Sequence, residues 1–176
     1  FGILNLGVSE QQARDEVESV IGALEITPFR DKPAHALSGG QKKLVSIADI
    51  LVMHPEIIIL DEPSAALDPK HTQMVNRIVA QMTEADITVI MATHDVDYAY
   101  AWADEVILFH EGKVLLHGAP DVVLSDHDAL HKTNLHPPTV LSLFERLCKK
   151  GVLSPDLPCP RDLDTLENYL TDAMHK

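Results

Sequence analysis

The sequence has 176 residues, with 27 acidic and 14 basic side chains and a formal net charge of −13. This length, with 45% hydrophobic and 23% charged residues, is typical of a folded chain with a real core and argues against wholesale disorder. The acidic balance disfavours a non-specific nucleic-acid binder, and no apolar run approaches the roughly 18 to 20 residues that a membrane helix needs.

Helices are predicted from their N-terminal caps and their apolar spacing. Ser9 with Gln12 has the spacing of a capping box. Ser38 before two glycines, and Asp68 before a proline, also suit the residue that caps a helix. These signals predict helices over residues 10–24, 39–53, 70–83 and 96–103, and short amphipathic helices over residues 140–149 and 163–173.

Apolar, β-branched runs alternate with these helices and indicate strands. Three of them, at residues 57–60, 87–91 and 106–109, are nearly continuous, which suits parallel strands covered on both faces. Residues 111–112 predict a turn into an antiparallel strand over 113–117. The alternation of strand and helix predicts an α/β fold with a mainly parallel sheet.

The segment Ser38-Gly39-Gly40-Gln41 stands at the start of a predicted helix. Two adjacent glycines leave backbone N–H groups bare, beside a hydroxyl, at the positive end of the helix dipole. This is a phosphate-binding arrangement, although the same residues also suit an ordinary loop that leads into a helix.

Two adjacent carboxylates, Asp61 and Glu62, follow the strand at residues 57–60. Parallel α/β sheets place ligands at the C-terminal edge of their strands. Burying two acids there is costly unless they bind a cation or transfer a proton. The natural division of roles gives Asp61 to Mg²⁺ and makes Glu62 the general base that polarises a water. The alternative is a solvated strand end.

Asp68 and His94 lie in the loops that follow the first two predicted strands. Asp68 is expected to cap the next helix whatever else it does. His94 stands in Thr93-His94-Asp95 and is placed to donate to a γ-phosphate, although a lone histidine of this kind is more often structural.

Taken in order, these motifs strongly resemble the nucleotide-binding subunit of ABC transporters. The order is Leu-Ser-Gly-Gly-Gln, an apolar strand, Asp-Glu-Pro, Ser-x-x-Leu-Asp and Thr-His-Asp, within about residues 1–120. The resemblance implies an α/β, P-loop NTPase-like parallel sheet with a helical signature subdomain. It also implies ATP and Mg²⁺ as cofactors, and ATP hydrolysis coupled to transport.

The resemblance assigns a role to each motif. The signature and the loop that meets a second subunit would bind the nucleotide, through Ser38, Gly39, Gly40, Gln41 and Asp68. Glu62 and His94 correspond to the catalytic residues, and Asp61 corresponds to the metal ligand at the end of the Walker B strand. In this family the signature closes over the γ-phosphate of ATP that a second subunit holds.

One motif of the family is absent from these 176 residues. No Gly-x-x-x-x-Gly-Lys-Ser/Thr occurs, and this phosphate loop supplies the lysine and amides that hold the β- and γ-phosphates. Residues 1–7 resemble the stretch after the family's glutamine loop, so we expect the C-terminal two-thirds of an ATPase, silent alone. Without the phosphate-loop strand, the strands at 87–91 and 106–109 should have unpaired edges.

Residues 1–7 and the Lys42-Lys43 pair look most like ATPases of the energy-coupling-factor type that serve cobalt and nickel uptake. Those subunits also carry a C-terminal extension of short helices. We therefore expect an ATPase portion at residues 1–124 and a helical extension at 125–176. Within the ATPase portion, the helical subdomain should span about 8–54 and the core sheet about 55–124.

The same resemblance implies the partners and the location. A second ATPase subunit, identical or not, and an integral membrane transport subunit are expected, on the cytoplasmic face of the membrane, with no nucleic acid. No charged leader before an apolar stretch indicates a signal peptide. Two cysteines, Cys148 and Cys159, fit a reduced intracellular protein better than a disulfide framework.

Two other functions remain alternatives. The chain could be a truncated, non-catalytic interaction module, which the absent phosphate loop favours, or an ABC-type ATPase with no membrane partner. The second class usually adds coiled coils, a zinc module or a second ATPase half. In the tail, His127 and His131 have the spacing of a nickel- or cobalt-chelating pair, although a solvated role is the simpler interpretation.

Overall fold

The structure is a computed structural model that describes residues 2–175. They form two compact units, which divide between Ala92 and Thr93. The expected boundary between residues 124 and 125 stays a prediction. Phe1, the first residue of the segment that resembles the stretch after the glutamine loop, lies outside the described residues.

The first unit begins with a short 3₁₀ helix at Ile3–Leu6, and two further 3₁₀ turns lie between its first two α-helices. Its regular elements are α1 (Glu10–Ala23), α2 (Gly39–Leu51), β1 (Ile57–Asp61), α3 (Pro69–Glu84) and β2 (Thr88–Ala92). The predicted helices and strands of this region are confirmed, with ends that differ by two residues or fewer. The chain leaves α2 through His54, whose backbone is left-handed with φ of +49°.

Side-chain caps fix where the helices of the first unit begin. Ser38 Oγ accepts a hydrogen bond from the Gln41 backbone N–H at 3.3 Å, and Gln41 Oε1 accepts one from the Ser38 N–H at 3.1 Å. Ser9 and Gln12 form the same reciprocal capping box at the start of α1. Because each pair satisfies two N–H groups that the helix leaves without an internal partner, the starts of both helices are defined locally.

β1 and β2 pair in parallel, from Ile57 opposite Thr88 to Asp61 opposite Ala92. The C-terminal ends of the two strands therefore lie side by side. Among residues 2–175 these strands form a sheet of two only, so the expectation of an unpaired edge on β2 is confirmed.

The prediction that β1 and β2 are covered on both faces is wrong for the described residues. On β1, Ile58 and Leu60 are buried, whereas Ile57 and Ile59 are 58% and 72% exposed. Ile90, which lies opposite Ile59 on β2, is 52% exposed. α3 packs on the sheet through β2, and the exposed isoleucines show that no described segment of the first unit covers the other face.

The second unit contains α4 (Val96–Trp102), β3 (Val106–His110), β4 (Lys113–Gly118), α5 (Pro120–Val123), α6 (His127–Lys132), α7 (Thr139–Lys149) and α8 (Leu163–Met174). β3 and β4 form an antiparallel hairpin. Its turn residues Glu111 and Gly112 have φ of +49° and +73°, as the favoured two-residue hairpin turn requires. The predicted turn is thus confirmed. The sequence did not predict α5 and α6, because helices of 4 and 6 residues are too short to show a helical repeat of apolar residues.

One hydrophobic core joins the hairpin to the tail helices. Tyr100, Leu108 and Leu141 belong to the same buried cluster, although they come from α4, β3 and α7. Arg161 also links the tail to the end of α4 by hydrogen bonds, because its Nη1 donates to the carbonyls of Tyr100 and Ala103 at 2.7 and 3.0 Å. No α-helix among residues 2–175 has the length and apolar character to cross a bilayer.

The open face of β1 gives a direct test. In the 176-residue chain, Ile58→Ala should lower the free energy of unfolding by about 2 to 4 kcal/mol, because it leaves a cavity among buried groups. Ile59→Ala should cost less than about 1 kcal/mol, since most of that side chain is already in water. Urea unfolding followed by circular dichroism measures both, and equal losses would contradict the open face.

Candidate functional site

The loop between β1 and α3 begins with a sharp turn at Glu62. Asp61 ends β1 and is exposed, and the Glu62 N–H donates to the Ala92 carbonyl of β2 at 2.9 Å. Glu62 has φ of +44°, a left-handed conformation that a non-glycine residue seldom adopts. Such residues persist where the surroundings over-determine them, and they cluster at functional sites. The two predicted acids thus stand together at the carboxyl end of β1.

Asp68 ends the same loop and caps α3, as predicted. Its Oδ1 accepts from the His71 backbone N–H at 3.0 Å, and its Oδ2 lies 2.6 Å from His71 Nδ1. The backbone hydrogen bond, followed by the side-chain hydrogen bond, holds the pKa of Asp68 below its usual 3.8. The Asp68 carboxylate is therefore charged at neutral pH and is oriented by His71.

The predicted phosphate-binding segment forms the first turn of α2. Ser38 and Gly39 are exposed, and Gly40 is partly exposed. The Gln41 N–H is satisfied by Ser38 Oγ and the Lys42 N–H by the Ser38 carbonyl. The N–H groups of Gly39 and Gly40 have no partner within the helix, because the first turn supplies none. This turn presents two amides and a hydroxyl toward solvent, which is suited to an anion.

His71 brings this turn and Asp68 together. A Cβ atom on Gly40 would lie 2.7 Å from His71 Cγ and 2.8 Å from its Cδ2, closer than real Cβ contacts come. His71 is 18% exposed, so it is held between α2 and the cap of α3. No motif in the sequence singled out His71. Its position three residues after Asp68 was the available signal, since that spacing places two side chains together at a helix start.

Lys43 makes a second contact between α2 and the loop. Its Nζ donates to the Glu62 carbonyl and to the Ala65 carbonyl, the latter at 3.4 Å. In the sequence Lys43 is visible only as one of a basic pair, because nothing local to α2 reveals a contact with a loop nineteen residues further on.

His94 lies two residues beyond the end of β2, and it belongs to the second unit, whereas the other candidate residues belong to the first. It is exposed and precedes Asp95, which caps α4 by accepting from the Tyr98 N–H at 3.0 Å. Its predicted role as a donor to a γ-phosphate stays a prediction.

The suggested chelating pair of tail histidines, His127 and His131, stays a prediction. His127 Nε2 lies 3.3 Å from Glu145 Oε2 on α7. In the part of the chain that the structure describes, no group of three or more His, Cys, Asp or Glu side chains is arranged to hold a metal ion.

Comparisons with known proteins point in one direction. The family profile described as ABC transporter matches residues 3–65. The cobalt import ATP-binding protein CbiO of Rhodobacter capsulatus is 43% identical over 166 residues, which is 94% of this chain and 59% of that protein. The energy-coupling factor transporter ATP-binding protein EcfA of Methanocaldococcus jannaschii is 43% identical over 150 residues, covering 85% of this chain and 54% of that protein.

Solved structures agree with these relatives. The structure of CbiO1 from Clostridium perfringens, described as part of the ABC transporter complex CbiONQ, matches at 40% identity with a TM-score of 0.64. That match covers 82% of this chain and 58% of the other. The chain thus spans little more than half the length of these three relatives, at 54 to 59%.

The contact between Gly40 and His71 predicts a specific pair of effects. Gly40→Ala should destabilise the fold by about 1 to 3 kcal/mol, because the added methyl group forces the His71 ring to move. His71→Ala in the same chain should restore most of that loss. Thermal unfolding of the two single variants and the double variant measures the coupling, and strictly additive effects would argue against the contact.

Asp68 should titrate abnormally. Since its pKa is lowered in the fold, the pair with His71 stabilises the protein above pH 3.8, and this contribution is lost as the pH falls through the lower, folded-state value. Carbon-13 NMR of the Asp68 carboxyl should therefore report a pKa below 3.8, and His71→Ala should raise it. An identical titration in both proteins would show that the His71 side chain does not act on this carboxyl, since the variant keeps the His71 backbone N–H.

Proposed function

The chain belongs to the ABC transporter ATPases, and from this premise we propose that it forms part of the ATP-hydrolysing subunit of an importer of the energy-coupling-factor type. Cobalt and nickel are the proposed cargo, by analogy with the cobalt import relative. The proposal rests on the joint placement of Asp61 and Glu62 at the carboxyl end of β1, which Lys43 links to the helix that begins at the capped turn of Ser38.

Each candidate site residue of the first unit has a defined role in this proposal. Glu62 acts as the general base that polarises the attacking water. The Ser38 hydroxyl and the amides of Gly39 and Gly40 bind the γ-phosphate of ATP, at the positive end of α2. Gln41 holds Ser38 in place through the capping box.

Asp61 is the proposed Mg²⁺ ligand. A carboxylate exposed at a strand end suits this ion, which prefers oxygen ligands, keeps several waters and takes few protein groups. When bound, Mg²⁺ neutralises charge on the β- and γ-phosphates. His94 is proposed to donate to the γ-phosphate, and Asp68 to contact the partner subunit.

Two ATPase subunits are needed in this proposal. The 176 residues include no phosphate loop, and the signature would act on ATP bound by the opposite subunit. We further propose that the pair, whether of identical or different chains, contacts an integral membrane subunit at the cytoplasmic face. The description of the Clostridium relative as part of a transporter complex supports this.

A non-catalytic interaction module is the second candidate. It is favoured by the absence of a phosphate loop from these residues and by the open isoleucine face of the two-stranded sheet. Sequencing the gene upstream of the codon for Phe1 separates the two candidates. A Gly-x-x-x-x-Gly-Lys-Ser/Thr in frame there favours the ATPase, and its absence favours the module.

The activity is tested in the protein expressed from its complete reading frame. Glu62→Gln should lower the kcat of Mg²⁺-dependent ATP hydrolysis by about 10²- to 10⁴-fold, because the general base is lost, while ATP binding persists. Glu84→Gln, an exposed glutamate at the end of α3, is the matched control and should leave kcat unchanged. Measurable turnover by the 176-residue polypeptide alone, or full activity in Glu62→Gln, would contradict the proposal.

A further inference from the structure

Lys43 holds the main chain of the proposed catalytic base from a different element. It lies near the start of α2 and is partly buried, with its Nζ donating to the carbonyls of Glu62 and Ala65. These two carbonyls belong to the loop between β1 and α3, so a single ammonium group spans the beginning of that loop. Hydrogen bonds from a charged donor are stronger than those between neutral groups.

Glu62 has a backbone conformation that needs such support. Its φ of +44° places it in the left-handed region, where a β-carbon clashes with the backbone and where the surroundings must hold the residue. The Glu62 N–H donates to the Ala92 carbonyl of β2, and the Glu62 carbonyl accepts from Lys43 Nζ and from the Ala65 N–H at 3.2 Å. The sheet thus holds one peptide group of Glu62, and Lys43 of α2 holds the other together with the turn of the loop itself.

The neighbouring lysine does not share this contact. Lys42 is exposed, and its backbone N–H donates to the Ser38 carbonyl as part of the first turn of α2. The two lysines differ only in the direction that the helix gives them. The contact with the loop is therefore a property of position 43 and not of the basic pair.

We propose that Lys43 is a positioning residue for Glu62, which sets the direction of the carboxylate by fixing the backbone on which it stands. This inference rests on the proposed function. In a paired ATPase, the first turn of α2 and Glu62 serve different nucleotides. When the nucleotide at one site moves α2, Lys43 therefore passes that movement to Glu62, the base of the other site.

The test compares Lys43→Met with Lys42→Met and Lys43→Arg in the protein from its complete reading frame. Lys43→Met should speed amide hydrogen exchange at Ala65 and Leu67, which close turns within the loop, by about tenfold. It should also lower kcat for ATP by about 10- to 100-fold, because a misplaced catalytic group reacts slowly. The KM for ATP should stay within about twofold, since the nucleotide is bound by other groups.

The control variants test whether the effect depends on position 43 and on a charged donor there. Lys42→Met should leave exchange and kcat unchanged, and Lys43→Arg, which keeps a charged donor, should recover most of the wild-type kcat. If Lys43→Met does not fold, Lys43→Gln, which retains an N–H donor of shorter reach, takes its place with the same expected direction.

Two results would overturn the inference alone. One is unchanged exchange in the loop, and the other is faster exchange with an unchanged kcat, which would make the contact purely structural. In either case the loss of activity in Glu62→Gln would leave the proposed function intact. Full activity in Glu62→Gln would instead overturn the assignment of the base, and with it the role of Lys43.

Discussion

The attachment of α2 to the loop between β1 and α3 is the constraint on which the rest of the first unit depends. Lys43 reaches the loop at its beginning, and His71 meets Gly40 at its end. The phosphate-binding turn and the acidic strand end are both local structures, and neither defines a site alone. One ammonium group and one imidazole link them directly, so side chains outside the recognised motifs contribute to the geometry of the motifs.

This attachment gives Gly40 a second reason to be glycine. The first is the approach of an anion to bare backbone amides, which any side chain would obstruct. The second is the His71 ring, which occupies the space that a Cβ would need. Because His71 also orients Asp68, a change at Gly40 would be felt at the loop that is proposed to meet the partner subunit.

The sheet of the first unit has one buried face and one open face. β1 and β2 bury Ile58 and Leu60 on one side but leave Ile57 and Ile59 in water on the other. Burying isoleucines of a sheet face stabilises the fold by roughly 25 cal/mol for each Å² of apolar surface removed from water. The open face therefore marks where further protein would lower the free energy, in keeping with relatives that are longer than this chain.

The sequence by itself determined the local structure and the order of the motifs. The caps at Ser9, Ser38 and Asp68 and the turn at residues 111–112 are specified within a few residues, because their hydrogen bonds join neighbours in the chain. The family resemblance followed from the same linear order, and the comparisons bear it out. Only the tertiary structure decided which faces of β1 and β2 are covered, where the chain divides into two units, and that Lys43 and His71 contact the signature and the loop. These features depend on packing between segments distant in sequence, where a side chain's partner is set by the fold and by no pattern in its own helix.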